Sequence, residues 1–153
     1  YEAAVQLGVL FSGRNDPLAE QYYLSAISID PNGSPAYYLL GIYYQEAEMM
    51  EKAIEIYERL VLIDPSFKEA YYNIGYIQLV HYKDFEKAAD FFSQAIGQDQ
   101  GYADAWYNRG YSYELLGDYE RARSDYAKTL SLKPNYDLAV NGMNRLDRLE
   151  SGK

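Results

Sequence analysis

The sequence repeats itself with a period of about 34 residues, and that regularity restricts its fold more than any other feature. The block at residues 103–136 shows the pattern most fully, with Trp106, Gly110, Tyr113, Ala122, Tyr126 and Pro134 at its marked positions. Ala122 is matched by Ala88, Ala53 and Ala19, Tyr126 by Phe92, Tyr57 and Tyr23, and Gly110 by Gly75, Gly41 and Gly8. Trp106 is matched by Tyr71, Tyr37 and Ala4, and Pro134 by Pro65 and Pro31, but by Gln100 in the third block. The blocks run 1–33, 34–67, 68–102 and 103–136. The first is a residue short at Arg14-Asn15-Asp16, and the third a residue long at His81-Tyr82-Lys83-Asp84. A unit this small cannot bury its own apolar face and must stack on its neighbours.

Each block reads as two helices. In the second, Ala53, Ile54, Ile56, Tyr57, Leu60, Val61 and Ile63 recur at helical spacing. The expected spans are 2–13 and 17–29, 35–47 and 50–63, 68–81 and 84–98, 104–116 and 118–132, followed by a last helix at 137–150. Gly8, Gly41, Gly75 and Gly110 stand mid-helix, where glycine costs about 1 kcal/mol against alanine. Close helix approach offsets such a cost, so each glycine is read as a contact between the two helices of a pair. Ala19, Ala53, Ala88 and Ala122 are the small residues expected to face them, with Tyr23, Tyr57, Phe92 and Tyr126 reaching toward the next block.

Turn chemistry agrees. Asp16-Pro17 and Ser34-Pro35 read as an N-cap followed by proline at the first helical position. Asp30-Pro31, Asp64-Pro65 and Lys133-Pro134 end helices, because proline cannot continue the hydrogen-bond ladder. Gly117-Asp118 marks a turn and a fresh cap. Met49 and Met50 replace that pair in the second block and are read as gap-filling core residues. Gly97-Gln98-Asp99-Gln100-Gly101 replaces the proline exit and is the joint expected to be most flexible. Arg109 stands where Leu40 and Ile74 stand, so it should snorkel or pair with a carboxylate on the following segment. In the last helix Leu138, Val140, Met143, Leu146 and Leu149 are read as an apolar stripe that caps the final pair. Ser151-Gly152-Lys153 should fray.

The arrangement resembles the tetratricopeptide repeat over nearly the whole chain. That resemblance implies an all-α fold: a right-handed α-solenoid of four helix hairpins plus a C-terminal capping helix, forming a single domain over 1–153. It also implies a concave groove lined by the first helices of successive pairs. Carried over position by position, the groove holds Tyr38, Leu39, Ile42 and Gln45, then Tyr72, Asn73, Tyr76 and Leu79, then Tyr107, Asn108, Tyr111 and Glu114. The cap adds Asn141, Arg145 and Arg148. Tyrosine offers large contact area with few rotors and a polar tip, and asparagine can both donate to and accept from an extended backbone. The peptide-binding set that the resemblance implies is Tyr38, Ile42, Tyr72, Asn73, Tyr76, Tyr107, Asn108, Tyr111 and Arg145. The lysine and arginine clamp that some family members direct at a C-terminal carboxylate is not expected, since Val5, Tyr38, Tyr72 and Tyr107 hold those positions and only Arg145 and Arg148 could serve.

Composition narrows the partners. The formal charge of −9 argues against a phosphate backbone. Cysteine is absent, which excludes disulfides and thiolate metal sites. His81, the only histidine, has no partner at metal spacing and is read as a surface residue. No apolar run reaches the length of a membrane span, and the opening residues are not expected to be a signal peptide. The chain opens at Tyr1 without methionine and is expected to be processed or trimmed, which leaves its compartment open between the cytoplasm and a lipid-anchored position outside it. Acidic, tyrosine-rich repeats suit a bacterial protein. No catalytic triad, phosphate-cradling loop or paired-histidine motif stands out, and Glu51, Glu55 and Glu58 read as a solvated face. The expectation is a non-catalytic module, without cofactor or metal, that binds a peptide or extended protein segment. The alternatives are a structural spacer or self-association scaffold within a larger protein, and an accessory to an enzyme whose chemistry lies elsewhere.

Overall fold

The computed structural model describes residues 1–14 and 16–152, so the turn residue Asn15 and the terminal Lys153 lie outside the described residues. Among the described residues the chain is helical, without strands. The elements are α1 (Glu2–Ser12), α2 (Leu18–Ile29), α3 (Ser34–Glu46), α4 (Met50–Ile63), α5 (Lys68–Ile77), a π-helical turn (Gln78–Tyr82), α6 (Phe85–Gln98), α7 (Ala103–Leu115), α8 (Tyr119–Leu132) and α9 (Asp137–Glu150). They divide into two compact units, Tyr1–Ala70 and Tyr71–Lys153.

In the first unit α1 pairs with α2, α3 pairs with α4, and α3 packs on α2. Tyr23, Leu40, Tyr57 and Leu60 are sealed inside, with Ala19, Ala26 and Ala53. The glycines do meet the second helix of their own pair, but not at the alanines. A Cβ on Gly8 would stand 2.5 Å from the Tyr23 ring, and one on Gly41 would strike Tyr57. The missing side chain makes room for a ring lying flat over the first helix. Tyr23 also reaches onward to Tyr43, at 6.5 Å between centroids.

The second unit repeats the plan. Gly75 lies under Phe92 and Gly110 under Tyr126. The other side of Tyr126 is met by Gly142 of α9, where a Cβ would stand 2.5 Å from the ring. α9 therefore covers the last pair through Ala139, Gly142, Met143 and Leu146, which share one helical face. The expected stripe was misplaced: Leu138, Val140 and Leu149 are exposed.

Helix starts follow the acidic caps. The Asp84 and Asp118 carboxylates accept from the backbone N–H of Lys87 and Arg121, and Asp16 accepts from Leu18. Ser34 does not cap α3. The Tyr1 hydroxyl accepts from the Ala36 N–H at 3.2 Å and donates to the Gly33 carbonyl at 3.1 Å. The joint at 97–101 adopts the same turn as its siblings without proline: the Asp99 carboxylate accepts from Gly101 as Asp64 accepts from Ser66. The second-block turn is Glu48-Met49 rather than Met49-Met50. Glu48 takes the left-handed conformation at φ 59 that Gly117 takes at φ 79, and Met49, at the cap, is exposed rather than packed. The extra residue of the third block opens the end of its first helix into the π-helical turn, closed by Lys83 at φ 55.

One pairing recurs through the repeats. The buried ring of each second helix faces one position of the first. The Tyr57 hydroxyl donates to Gln45 Oε1 at 3.2 Å, and that of Tyr126 donates to Glu114. In the third block the ring is Phe92, which has no hydroxyl, and the facing residue is the buried Leu79.

Candidate functional site

The second unit carries a face of tyrosines on α5 and α7. Residues four apart on a helix share a face, so Tyr72 lies over Tyr76 and Tyr107 over Tyr111. The first pair stacks at 6.3 Å with 20° between planes, the second at 6.3 Å with 3°. Tyr72, Tyr107 and Tyr111 are half-buried and Tyr76 is exposed. The lower edge of each stack rests on the hairpin's buried ring, Tyr72 against Phe92 at 5.5 Å and Tyr107 against Tyr126 at 5.7 Å.

A third ring completes each stack, and sequence reasoning missed it. Tyr102 lies 5.0 Å from Tyr72, and Tyr136 lies 5.3 Å from Tyr107. Both precede the next first helix, at the position Phe67 holds in the second block. That recurrence of aromatics at the block ends was the available signal. The Tyr136 hydroxyl donates to Asp104 Oδ1 at 2.7 Å, which pins the ring.

The two asparagines differ. Asn108 is buried, and its Nδ2 donates to the Tyr72 hydroxyl at 2.8 Å, so its amide is a link between α7 and α5 rather than a free group. Asn73 is half-buried. Burial, with the charge of Asp104 nearby, pushes the Tyr72 phenol up to about 12, and burial raises Tyr107 too. Both remain neutral donors at ordinary pH.

Arg145 of α9 turns onto Glu114 of α7, with Nε to Oε1 at 2.8 Å and Nη2 to Oε2 at 2.9 Å. The Tyr126 hydroxyl donates to the same carboxylate. Burial pushes Glu114 upward, but the bonds from Arg145 and Tyr126 and the arginine's charge outweigh it and hold the carboxyl below the usual range. Arg145 is thus paired within the unit, while Arg148 and Asn141 are exposed. In the first unit Tyr38 and Ile42 are half-buried on α3, with Tyr38 against Phe67 at 5.1 Å.

Such a face offers neutral rings, phenol hydroxyls and one internal ion pair. It can stack and hydrogen-bond. Among the described residues no group of His, Asp or Glu could hold a metal ion, and no helix is long and apolar enough to cross a membrane. His81 is exposed, edge-on to Tyr82 at 4.7 Å.

Comparison with known proteins places this arrangement. Family models described as tetratricopeptide repeat match residues 103–136 and 22–55. The first coincides with the fourth block; the second straddles the first and second. No curated protein sequence matches the chain. Among solved structures, the crystal structure of the MamA protein superposes with a TM-score of 0.86 at 27% identity, covering 99% of this chain and 82% of that one. PilF of Pseudomonas aeruginosa superposes at 0.80 with 25% identity, covering 99% and 69%. The first tetratricopeptide domain of Spaghetti (RPAP3), solved with the HSP90 peptide SRMEEVD, superposes at 0.73, with 23% identity and coverage of 77% and 93%. That last likeness concerns the fold alone. The chain thus carries two matched tetratricopeptide repeats, within an all-helical solenoid fold like that of these structures.

Proposed function

We propose that the chain is a non-catalytic interaction module whose second unit takes an extended peptide segment across the rings of Tyr72, Tyr76, Tyr107 and Tyr111. The observation that carries this is the pair of parallel stacks on α5 and α7, fixed from beneath by Phe92 and Tyr126. Rings held in one orientation lose little freedom when a partner lies on them, and such preorganisation raises affinity. The Asn108–Tyr72 bond serves the same end by fixing the first ring. Tetratricopeptide-repeat proteins are generally protein-interaction scaffolds, and one structural neighbour was solved with a peptide, which supports the class of partner.

Tyr76 is the ring to test, because at 40% exposure its removal costs the core little. Peptides would be selected from a random phage-displayed library on the whole chain, and their affinities measured by fluorescence anisotropy. Tyr76→Ala should weaken them at least tenfold, about 1.4 kcal/mol, with the melting temperature nearly unchanged. Selected peptides that bind this variant as tightly as the parent would refute the reading.

A further inference from the structure

The end of the tyrosine face in the third block differs from its siblings in two ways at once. The hydroxyl-bearing ring and its polar partner, present as Tyr57 with Gln45 and as Tyr126 with Glu114, are both exchanged for apolar groups, Phe92 with Leu79. Beside that exchange, the added residue opens the helix end into the π-helical turn. Beside them lies a cleft of about 380 Å³ lined by Leu79, Val80, Phe85, Tyr111 and Leu115, with Lys83 at its edge. Val80 and Leu115 are exposed there, at 54% and 42%. The cleft is contiguous with the stacked face through Tyr111, which belongs to both.

The charges around the cleft select its occupant. Asp84 pairs with Lys87 and Glu114 with Arg145. Lys83 makes no ion pair among the described residues, in a chain whose net charge is −9. An apolar recess with one uncompensated ammonium at its mouth complements an apolar side chain next to a carboxylate.

We infer that this cleft, walled by Leu79 and Val80 of the π-helical turn with Phe85, Tyr111 and Leu115, anchors one large aliphatic or aromatic side chain of the partner segment, with Lys83 contacting an adjacent acidic residue. The inference rests on the proposed peptide-binding role and names the side chains that role selects. The siblings supply fold-neutral variants. Leu79→Gln with Phe92→Tyr recreates the second block's pair and makes the Leu79 wall of the cleft polar. Lys83→Glu reverses the edge charge, and Glu48 shows that glutamate takes this backbone, at φ 59 against 55.

The test uses the whole chain and the phage-displayed random library. Peptides selected by the parent should share an Ile, Leu, Met or Phe next to Asp or Glu. The L79Q/F92Y double variant should bind them at least tenfold more weakly with its helical circular dichroism and melting unchanged. K83E should lose the acidic preference and keep the apolar one. Peptides that lose affinity with Tyr76→Ala but carry no apolar–acidic pair, and that ignore both cleft variants, would overturn this inference and leave the proposed role standing. Peptides indifferent to Tyr76→Ala as well would overturn both.

Discussion

At position 109 an arginine occupies a slot that holds Leu40 and Ile74, both fully buried, in two sibling repeats. Its guanidinium meets Asp125 through two bonds, at 2.7 and 2.8 Å, and reaches Ser93 at 3.0 Å, with Trp106 stacked at 4.7 Å. The second block has Leu40 and Ile56 where this one has Arg109 and Asp125. A buried ion pair is costly to break and often neutral to replace whole. Arg109→Leu should therefore destabilise by about 3–5 kcal/mol, because it strands a carboxylate only 5% exposed. Adding Asp125→Ile should recover most of that in urea unfolding; a double variant no more stable than the single would defeat the argument. The pairing was one of two outcomes the sequence left open, since an arginine in a leucine slot either snorkels or finds a carboxylate on the following segment. The contact made by the glycines was not fully legible. Spacing shows that two helices approach, but whether alanine or tyrosine fills the approach depends on where each Cβ points, and at Gly41 it is the Tyr57 ring.

Helix ends follow side-chain chemistry closely enough to predict an improvement. Asp84 and Asp118 cap their helices at nearly the same backbone angles, φ −88 and −87. Met49 holds the matching place before α4 at φ −91 with no side-chain cap. Met49→Asp should stabilise the chain by about 1 kcal/mol, read as a higher urea midpoint at unchanged slope; no rise would mean the α4 amides are already satisfied. The acidic caps could be read from the sequence, since Asp before a helical pattern has one favoured role. Ser34 misled because the competing group, the Tyr1 hydroxyl, comes from residues more than thirty positions away. The added residue of the third block was countable, yet a count does not say whether a loop lengthens or a helix opens. Here the helix opens, at Gln78–Tyr82.

The four hairpins and the final helix were expected to act as one domain over 1–153, and that is proposed here as a folding unit. Trp106, the only tryptophan, lies in the second unit, whereas helical circular dichroism reports on both. A single cooperative domain predicts that the two signals change together in urea. A dichroism transition that precedes or follows the fluorescence change would show separate unfolding of Tyr1–Ala70 and Tyr71–Lys153. At this scale the periodicity made the all-helical repeat fold readable, because the identity of a few residues per block suffices for it. The tyrosine face was readable as positions only. The burial of Asn108 and the closure of Arg145 on Glu114 depend on side chains of neighbouring helices that no single block contains.

The π-helical turn has a consequence for how arrays of this kind diversify. Copies of one unit begin alike and must become distinguishable before they can have different tasks. A residue taken up in a helix's last turn leaves the downstream hairpin in phase, with Phe92 over Gly75 as Tyr57 is over Gly41, so the change in backbone is confined to the rim of a single copy.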